Sequence, residues 1–399
     1  MKFAHIADCH IGGWSDPRMK QLSLEAFKIA MDKCLSLNTD FILIAGDIFN
    51  TALPQIDLIR DTVEALKKVS EHNVPVYIVP GSHDFSPSGK TMLEVLEKAG
   101  LCTNVAKTND NEPVLFNGNG FKITGMLGKR GGLEKDDYKA LNTSKVEAEP
   151  GLKIFMFHSA LEELMPKDLE EMEAMSISLL PKNFQYYAGG HVHSIMEKEY
   201  SNGLVVYPGA LFPNNFKEME EFKHGGFYMV EIENGSIKKE YMPIKLKDVI
   251  VLKFKADDKT ALQLYDEMLE AVSNMDSDDK IVLIRVSGTL SSGKPSDINF
   301  KEIFSKLSNA YFIMKNTNKL YSNEFSQHQH LNLKDVQDVE PELIEQYVSQ
   351  TDLFHDEKLL INSLMSVLNK EKGEGEKTYD FETRIFSEIK DILGLSQHF

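Results

Sequence analysis

Cysteine is scarce in this chain. The 399 residues include three, Cys9, Cys34 and Cys102, too few and too unevenly spaced for a disulfide framework or a thiolate zinc site. Long apolar runs are missing too. No stretch approaches the roughly 18 to 20 uninterrupted apolar residues of a membrane-crossing helix. The opening "MKFAHIADCHIGG" reaches an aspartate after only a few apolar residues, unlike a secretory leader. A cytoplasmic setting without membrane attachment is expected. Positive charge is also in deficit: 44 Lys and Arg stand against 61 Asp and Glu, a net −17. That balance argues against a surface coated in nucleic acid. It leaves room for a local basic patch and for bound cations, which count as charge. Candidate patches are Lys129 with Arg130, and the run Lys238, Lys239, Lys245, Lys247, Lys253, Lys255 and Lys259. The ordinary reading of such lysines is a solvated face.

What is present is globular: 42% hydrophobic and 26% charged residues, over a length that predicts two or three domains. To about residue 235, apolar strand-like runs alternate with amphipathic helical stretches. The runs are 2–7, 40–46, 75–81, 120–126, 153–158, 186–190, 204–207 and 226–232, and the clearest helical patterns cover 18–37 and 56–72. Continuous apolar runs between helices predict an α/β fold with parallel-rich sheets buried on both faces. Over 245–325 a second α/β pattern follows: "VIVLKFKA", a helix through 258–274, "KIVLIRVSG", a helix at 299–309 and "AYFIMK". From about 333 the strands stop. Helical segments remain, divided by "KGEGEK" at 372–377, a composition expected to form a flexible linker.

The polar residues cluster where strands end. "KFAHIA" delivers Asp8 and His10, "DFILIAG" delivers Asp47, and "PVYIVPG" delivers Ser82, His83 and Asp84. "KIFMF" delivers His158, and "QYYAGG" delivers His191 and His193. The carboxyl edge of such sheets is where ligands bind. Residues two apart at a strand end point to the same side, so Asp8 with His10 and His191 with His193 can each clasp a metal. Gly46, Gly81 and Gly190 permit the tight turns that aim these groups. Taken singly, a capping aspartate or a core histidine would explain each motif; together and in this order they predict a site. Mixed carboxylate and imidazole without thiolate suits Mn²⁺, Fe or Zn²⁺. The donor count exceeds one tetrahedral site, so two metals at about 3.5–4 Å separation are expected, an arrangement suited to displacement at phosphorus.

This series of motifs resembles the calcineurin-like metallophosphoesterases. More narrowly, "HIADCHIGG", "AGDIFNTALP", "YYAGGHVHS" and "YPGALFPNNF" look like the SbcD/Mre-eleven nucleases of DNA double-strand-break repair. The resemblance implies a metallophosphoesterase β-sandwich flanked by helices at 1–240, a small α/β capping domain that helps admit DNA at 245–325, and a helical tail at 333–399. The tail would bind the coiled coil of an SMC-like ATPase of the SbcC/Rad-fifty type. For these later regions the likeness rests on layout, not on motifs. One metal would be held by Asp8, His10 and His193, another by His158 and His191, with Asp47 bridging and Ser82 beside the second. His83 would face the scissile phosphate and protonate the leaving oxygen, oriented by Asp84. The implied activity is manganese-dependent hydrolysis of DNA phosphodiesters at duplex ends or single strands, with Mg²⁺ also able to serve. Homodimerisation through 18–37 and 56–72 is implied as well.

Two positions depart from the family pattern. Ser82 stands where an asparagine holds the second metal, and its shorter hydroxyl is expected to weaken that ion. Asn50 stands where some members carry a histidine that manages the DNA strand. A phosphoesterase acting on nucleotides or phosphoproteins, or a repair scaffold with weakened catalysis, are the alternatives these departures leave open. Trp14 and Arg18 in "GGWSDPRMK" are candidates for contact with DNA or a dimer mate, alongside Lys129, Arg130 and Asn50. His5, within the first strand, is expected in the core, Cys9 is expected to pack, and His328 and His330 are read as a surface loop.

Overall fold

The computed structural model describes residues 1–86, 91–165, 173–323, 357–368, 370 and 378–393. The first strand, β1 (Lys2–Ile6), leads through helix α1 (Pro17–Ser36) to β2 (Phe41–Ala45), and α2 (Ile56–Glu71) leads on to β3 (Val76–Val79). β1, β2 and β3 run parallel, each joined to the next by a helical crossover. A short β4 (Thr103–Asn104) extends this sheet on one side. The second sheet is built from β5 (Phe116–Asn117), β6 (Lys122–Gly125), β7 (Lys153–His158), β8 (Tyr186–Gly190), β9 (Ile195–Tyr200) and β10 (Gly203–Pro208), in the order β9-β10-β8-β7-β6-β5. Past helix α3 (Phe216–Phe222), β11 (Gly225–Glu233) and β12 (Ser236–Ile244) return to the first sheet, which reads β12-β11-β1-β2-β3-β4.

The sheets are mixed: the parallel centres carry antiparallel edges, where β11 pairs β1, β12 pairs β11, β9 pairs β10 and β5 pairs β6. The edges contain polar alternation, as in "EIENGSIKKEY", whose Asn234-Gly235 turn has both residues at positive φ, the requirement of a tight hairpin. Between the sheets lies one apolar layer, with Phe3, Phe41, Leu43 and Tyr77 facing Ile123, Ile154, Met156 and Tyr186. The outer face of the first sheet is covered by α1 and α2 through Leu22, Phe27, Met31, Leu66 and Val69. Burial on both faces explains why β2 and β3 are wholly apolar, and it sends the polar residues to the strand ends.

A third sheet is parallel throughout: β13 (Val249–Lys255), β14 (Ile281–Leu290) and β15 (Phe312–Ser322), with helices α4 (Ala261–Ser273) and α5 (Phe300–Lys306) packed on it. It belongs to the same compact unit, Met1–Ser322; the remainder, Asn323–Phe399, forms a second unit. There α6 (Glu357–Leu368) and α7 (Thr378–Ile392) pack on each other, joined also by Lys370 and Glu388 at 2.5 Å. The expected linker 372–377, the segment 333–356 and the pair His328 and His330 lie outside the described residues. No helix among the described residues is long and apolar enough to cross a membrane.

Candidate metal centre

The strand ends of the two sheets converge. Asp8 and His10 follow β1, Asp47 follows β2, His83 follows β3, His158 ends β7, and His191 and His193 follow β8. Their ligand atoms form three overlapping groups, each within 4.8 Å: Asp8, His10 and His193; His10, Asp47 and His83; Asp47, His158 and His191. Asp47 Oδ2 lies 3.2 Å from His158 Nε2 and 3.6 Å from His10 Nε2, so this carboxylate stands between the two outer groups.

The backbone is bent to achieve this. Asp8, His10, Asp47 and His191 all have positive φ, at 50°, 41°, 51° and 90°, a conformation costing non-glycine residues about 1–3 kcal/mol each. Amide bonds hold it: Asp8 to the Gly46 carbonyl (3.2 Å), His10 to that of Asp47 (2.9 Å), and the His191 amide to both Asp8 carboxylate oxygens (3.0 and 3.1 Å). Gly46, at φ 86°, passes so close to His158 that a β-carbon would lie 2.1 Å from its Nδ1.

Ring orientation is fixed from behind. His158 Nδ1–H donates to the Ala45 carbonyl at 2.9 Å, and His193 Nδ1–H donates to the Glu218 carboxylate at 2.9 Å. Each ring therefore turns Nε2 into the cluster: His158 Nε2 toward Asp47, His193 Nε2 to within 3.1 Å of His10 Nε2. Nitrogen lone pairs aimed at one another and at a buried carboxylate repel unless a proton or cation lies among them. The donor set thus fits divalent cations, with partners behind the rings as metal-binding histidines require.

The proton affinities tell the same story for the cation-free protein. Burial works against charge on His158, yet Asp47 and Asp8 hold its pKa up, at about 10. Burial likewise opposes charge on His193, which the Glu218 bond and Asp8 raise to about 9. His10 and His191 fall to about 3, through burial and then through the neighbouring imidazoles. Asp8 rises to about 6 because burial outweighs the attraction of His158 and His193. Asp47 is likewise buried but is driven the other way, well below the usual range, by His158, His10 and His83.

The Ser82 hydroxyl donates to Asp47 Oδ2 at 3.3 Å, and the His83 amide donates to Oδ1 at 2.7 Å. His83 Nδ1–H donates to the backbone carbonyl of Asn50 at 2.8 Å. Asp84 does not orient His83, contrary to expectation. Its buried carboxylate accepts from the amides of Ile48, Phe49 and Gly81 at 3.1–3.3 Å, so it shapes the loop after β2. Burial raises its pKa to about 7. Trp14 is 8% exposed and its indole N–H donates to the Pro213 carbonyl at 2.9 Å, so it packs within the chain. Arg18 is engaged within the chain, donating to the Tyr311 carbonyl at 2.7 Å and lying over the Phe312 ring.

Arg130 is exposed, and its Nε donates to the Ser82 carbonyl at 3.3 Å; Lys129 pairs with Asp137 at 2.6 Å. The longer lysine run is not one patch. Lys239 pairs with Glu197, Lys247 with Asp279 at 2.6 Å, Lys253 with Glu220 at 3.3 Å and Lys259 with Glu267. His5 is buried, 2.9 Å from the Tyr186 hydroxyl, and Cys9 is buried beside the site. Sequence reasoning missed Glu218. The available signal was an acidic residue in the first turn of a helix capped by Asn215, directly after the "YPGALFPNNF" motif.

A two-sheet sandwich with histidine and aspartate groups gathered at its strand ends defines a metallophosphoesterase. Residues 1–194 match the family model of the calcineurin-like phosphoesterases. Its distant relatives include the "DNA double-strand break repair protein Mre11" of Archaeoglobus fulgidus, 28% identical over 70% of this chain and 66% of that protein. The protein of the same name from Methanocaldococcus jannaschii is 29% identical over 62% of this chain and 70% of the relative. The chain spans about two-thirds of the length of the Archaeoglobus relative. Among solved structures, a dimetal phosphatase from Danio rerio aligns over 61% of this chain and 97% of its own, with a TM-score of 0.44 and 10% identity.

Proposed function

We propose that this chain is a two-metal DNA nuclease that hydrolyses phosphodiesters at broken ends, with manganese as its metal and an SMC-like coiled-coil ATPase as its partner. The observation that carries the reading is the chain of three ligand groups linked through His10 and Asp47. The names of the Mre11 relatives supply the substrate and the setting of repair. Asp8, His10 and His193 would hold one ion, His158 and His191 the other, with Asp47 between them and Ser82 beside the second. Fe, Zn²⁺ and Mg²⁺ suit the same donors. Two bound ions supply hydroxide at neutral pH and neutralise charge on the phosphate.

The residues themselves do the rest. With Nδ1–H given to Asn50, His83 keeps Nε2 to pass a proton to the leaving oxygen, within the side of the cluster it shares with His10 and Asp47. Arg130, exposed above Ser82, is placed to attract a backbone phosphate, and Lys129 adds charge beside it. Asn50 contributes its backbone carbonyl to His83. We read 1–240 as the nuclease core, 245–325 as the capping domain and 333–399 as the partner-binding region. Homodimerisation through α1 and α2 is supported by apolar side chains left exposed before and at the start of α2, Leu53 at 71% and Ile56 at 82%.

The test is cleavage of linear duplex and single-stranded DNA with Mn²⁺, with and without the ATPase. Cleavage that His83→Ala abolishes is expected. Hydrolysis confined to a nucleotide or phosphoprotein would overturn the nuclease reading. DNA cleavage that appears only in Ser82→Asn would instead favour a scaffold.

A further inference from the structure

Helix α3 faces two ways. Successive helix residues turn by about 100°, so residues two apart lie on nearly opposite faces. From one face Glu218 accepts from His193 Nδ1–H at 2.9 Å, and also from the Asn214 amide at 2.8 Å. From the other, Glu220 accepts the forked guanidinium of Arg285, on β14 of the small sheet, at 2.9, 3.0 and 2.5 Å. Lys253 of β13 joins at 3.3 Å, and the Arg285 guanidinium lies over the Phe216 ring of α3, 4.8 Å from its centroid. A planar fork on a carboxylate fixes direction as well as distance.

The approach to α3 is tied to the same sheet. The Trp14 indole donates to Pro213, three residues before the helix, and packs edge-on against Phe312 of β15 at 6.3 Å. Arg18 and Tyr311 exchange hydrogen bonds, Arg18 to the Tyr311 carbonyl at 2.7 Å and the Tyr311 hydroxyl to the Arg18 carbonyl at 3.0 Å. The loop that carries Trp14, and leads into Arg18 at the start of α1, begins directly after His10. Two arms from the small sheet therefore end on the same ligand group, one at His193 and one beside His10.

We infer that the small parallel sheet positions the Asp8–His10–His193 half of the metal centre, through Arg285, Glu220 and Glu218 on the short helix α3. Glu218, Glu220 and Arg285 are positioning residues: Glu218 touches His193, and Arg285 acts on Glu220 and so on Glu218 through α3, neither Arg285 nor Glu220 touching the cluster. Displacing the sheet would tilt α3 and turn the His193 ring, weakening one ion and sparing the other. The inference rests on the dimetal reading of the site.

Manganese titration of the full chain, followed by the electron paramagnetic resonance signal of free Mn²⁺, tests it. The wild-type chain is expected to take up two ions. Arg285→Ala and Glu220→Gln are each expected to weaken one of them about tenfold, the lower end of the range for residues behind metal ligands, and to leave the other unchanged. Arg285→Lys, which keeps charge without the fork, should fall between. In the metal-free chain, Glu220→Gln should move the His193 ring-nitrogen resonances, a readout independent of cleavage. Two ions bound with wild-type affinities in both Arg285→Ala and Glu220→Gln would overturn the inference alone. A wild-type chain that takes up no metal would remove the dimetal reading and the inference with it.

Discussion

Replacing Ser82 by asparagine would set a carbonyl oxygen where the hydroxyl now donates to Asp47. Serine reaches about one bond less far and offers a weaker neutral donor, and its hydrogen bond must break before it can turn to a cation. Ser82→Asn is expected to tighten the second ion about tenfold and leave the first unchanged, checked by calorimetric titration with Mn²⁺. Gly46→Ala is expected to act on the whole cluster. Its added carbon meets the His158 ring at 2.1 Å in a backbone at φ 86°, so a loss of roughly 2–4 kcal/mol and of metal uptake should appear in thermal melts with and without Mn²⁺. His5 gives a pH signature separate from the site. Burial lowers its folded pKa to about 3, so below the unfolded value of about 6.5 the unfolded chain binds the extra proton. Stability is then lost as pH falls from 6.5 toward 3, by up to about 1.4 kcal/mol per pH unit. His5→Leu should flatten that slope by one proton in urea unfolding series. It should also lower stability at pH 7, because the buried Tyr186 hydroxyl loses its partner.

At the scale of elements, the parts legible in the sequence were those with a strong pattern. β2, β3 and β8 carry no charged residue and β7 is apolar between Lys153 and His158, so their ends, and the Asp and His at them, could be read directly. The antiparallel edge strands were harder, because β9 buries little and alternates irregularly. Contacts made by backbone could not be read at all: the Asn50 carbonyl on His83 and the amides on Asp84 depend on loop shape alone. The lysine run misled for a related reason. Charge counted along β12 and β13 ignores carboxylates brought alongside by other strands and helices, such as Glu197 and Glu220. On the proposed function, Arg130→Ala should therefore weaken DNA binding and reduce the slope of affinity against salt by about one. Lys247→Ala and Lys259→Ala should leave both unchanged, as fluorescence anisotropy at several salt concentrations would register.

For the whole molecule, the question is what the second unit contributes. The four apolar cores of the described residues draw on side chains up to Leu320 and none beyond, and every residue of the metal cluster lies before position 194. The first unit, Met1–Ser322, therefore holds its own core and its own site. Helices α6 and α7 have a different character: they pack on each other yet leave Leu368 and Phe386 exposed, at 59% and 65%. Apolar side chains that a helix pair leaves outside need a further surface to cover them, which on the proposed function is the ATPase coiled coil. A chain ending at Ser322 is accordingly expected to keep its melting temperature within a few degrees and its uptake of two Mn²⁺. It should lose binding to the partner's coiled coil, by at least a hundredfold in calorimetry. If the truncated chain bound the coiled coil as tightly as the full one, the contact would have to be sought on the first unit, where α1, α2 and the small sheet would be the surfaces to test.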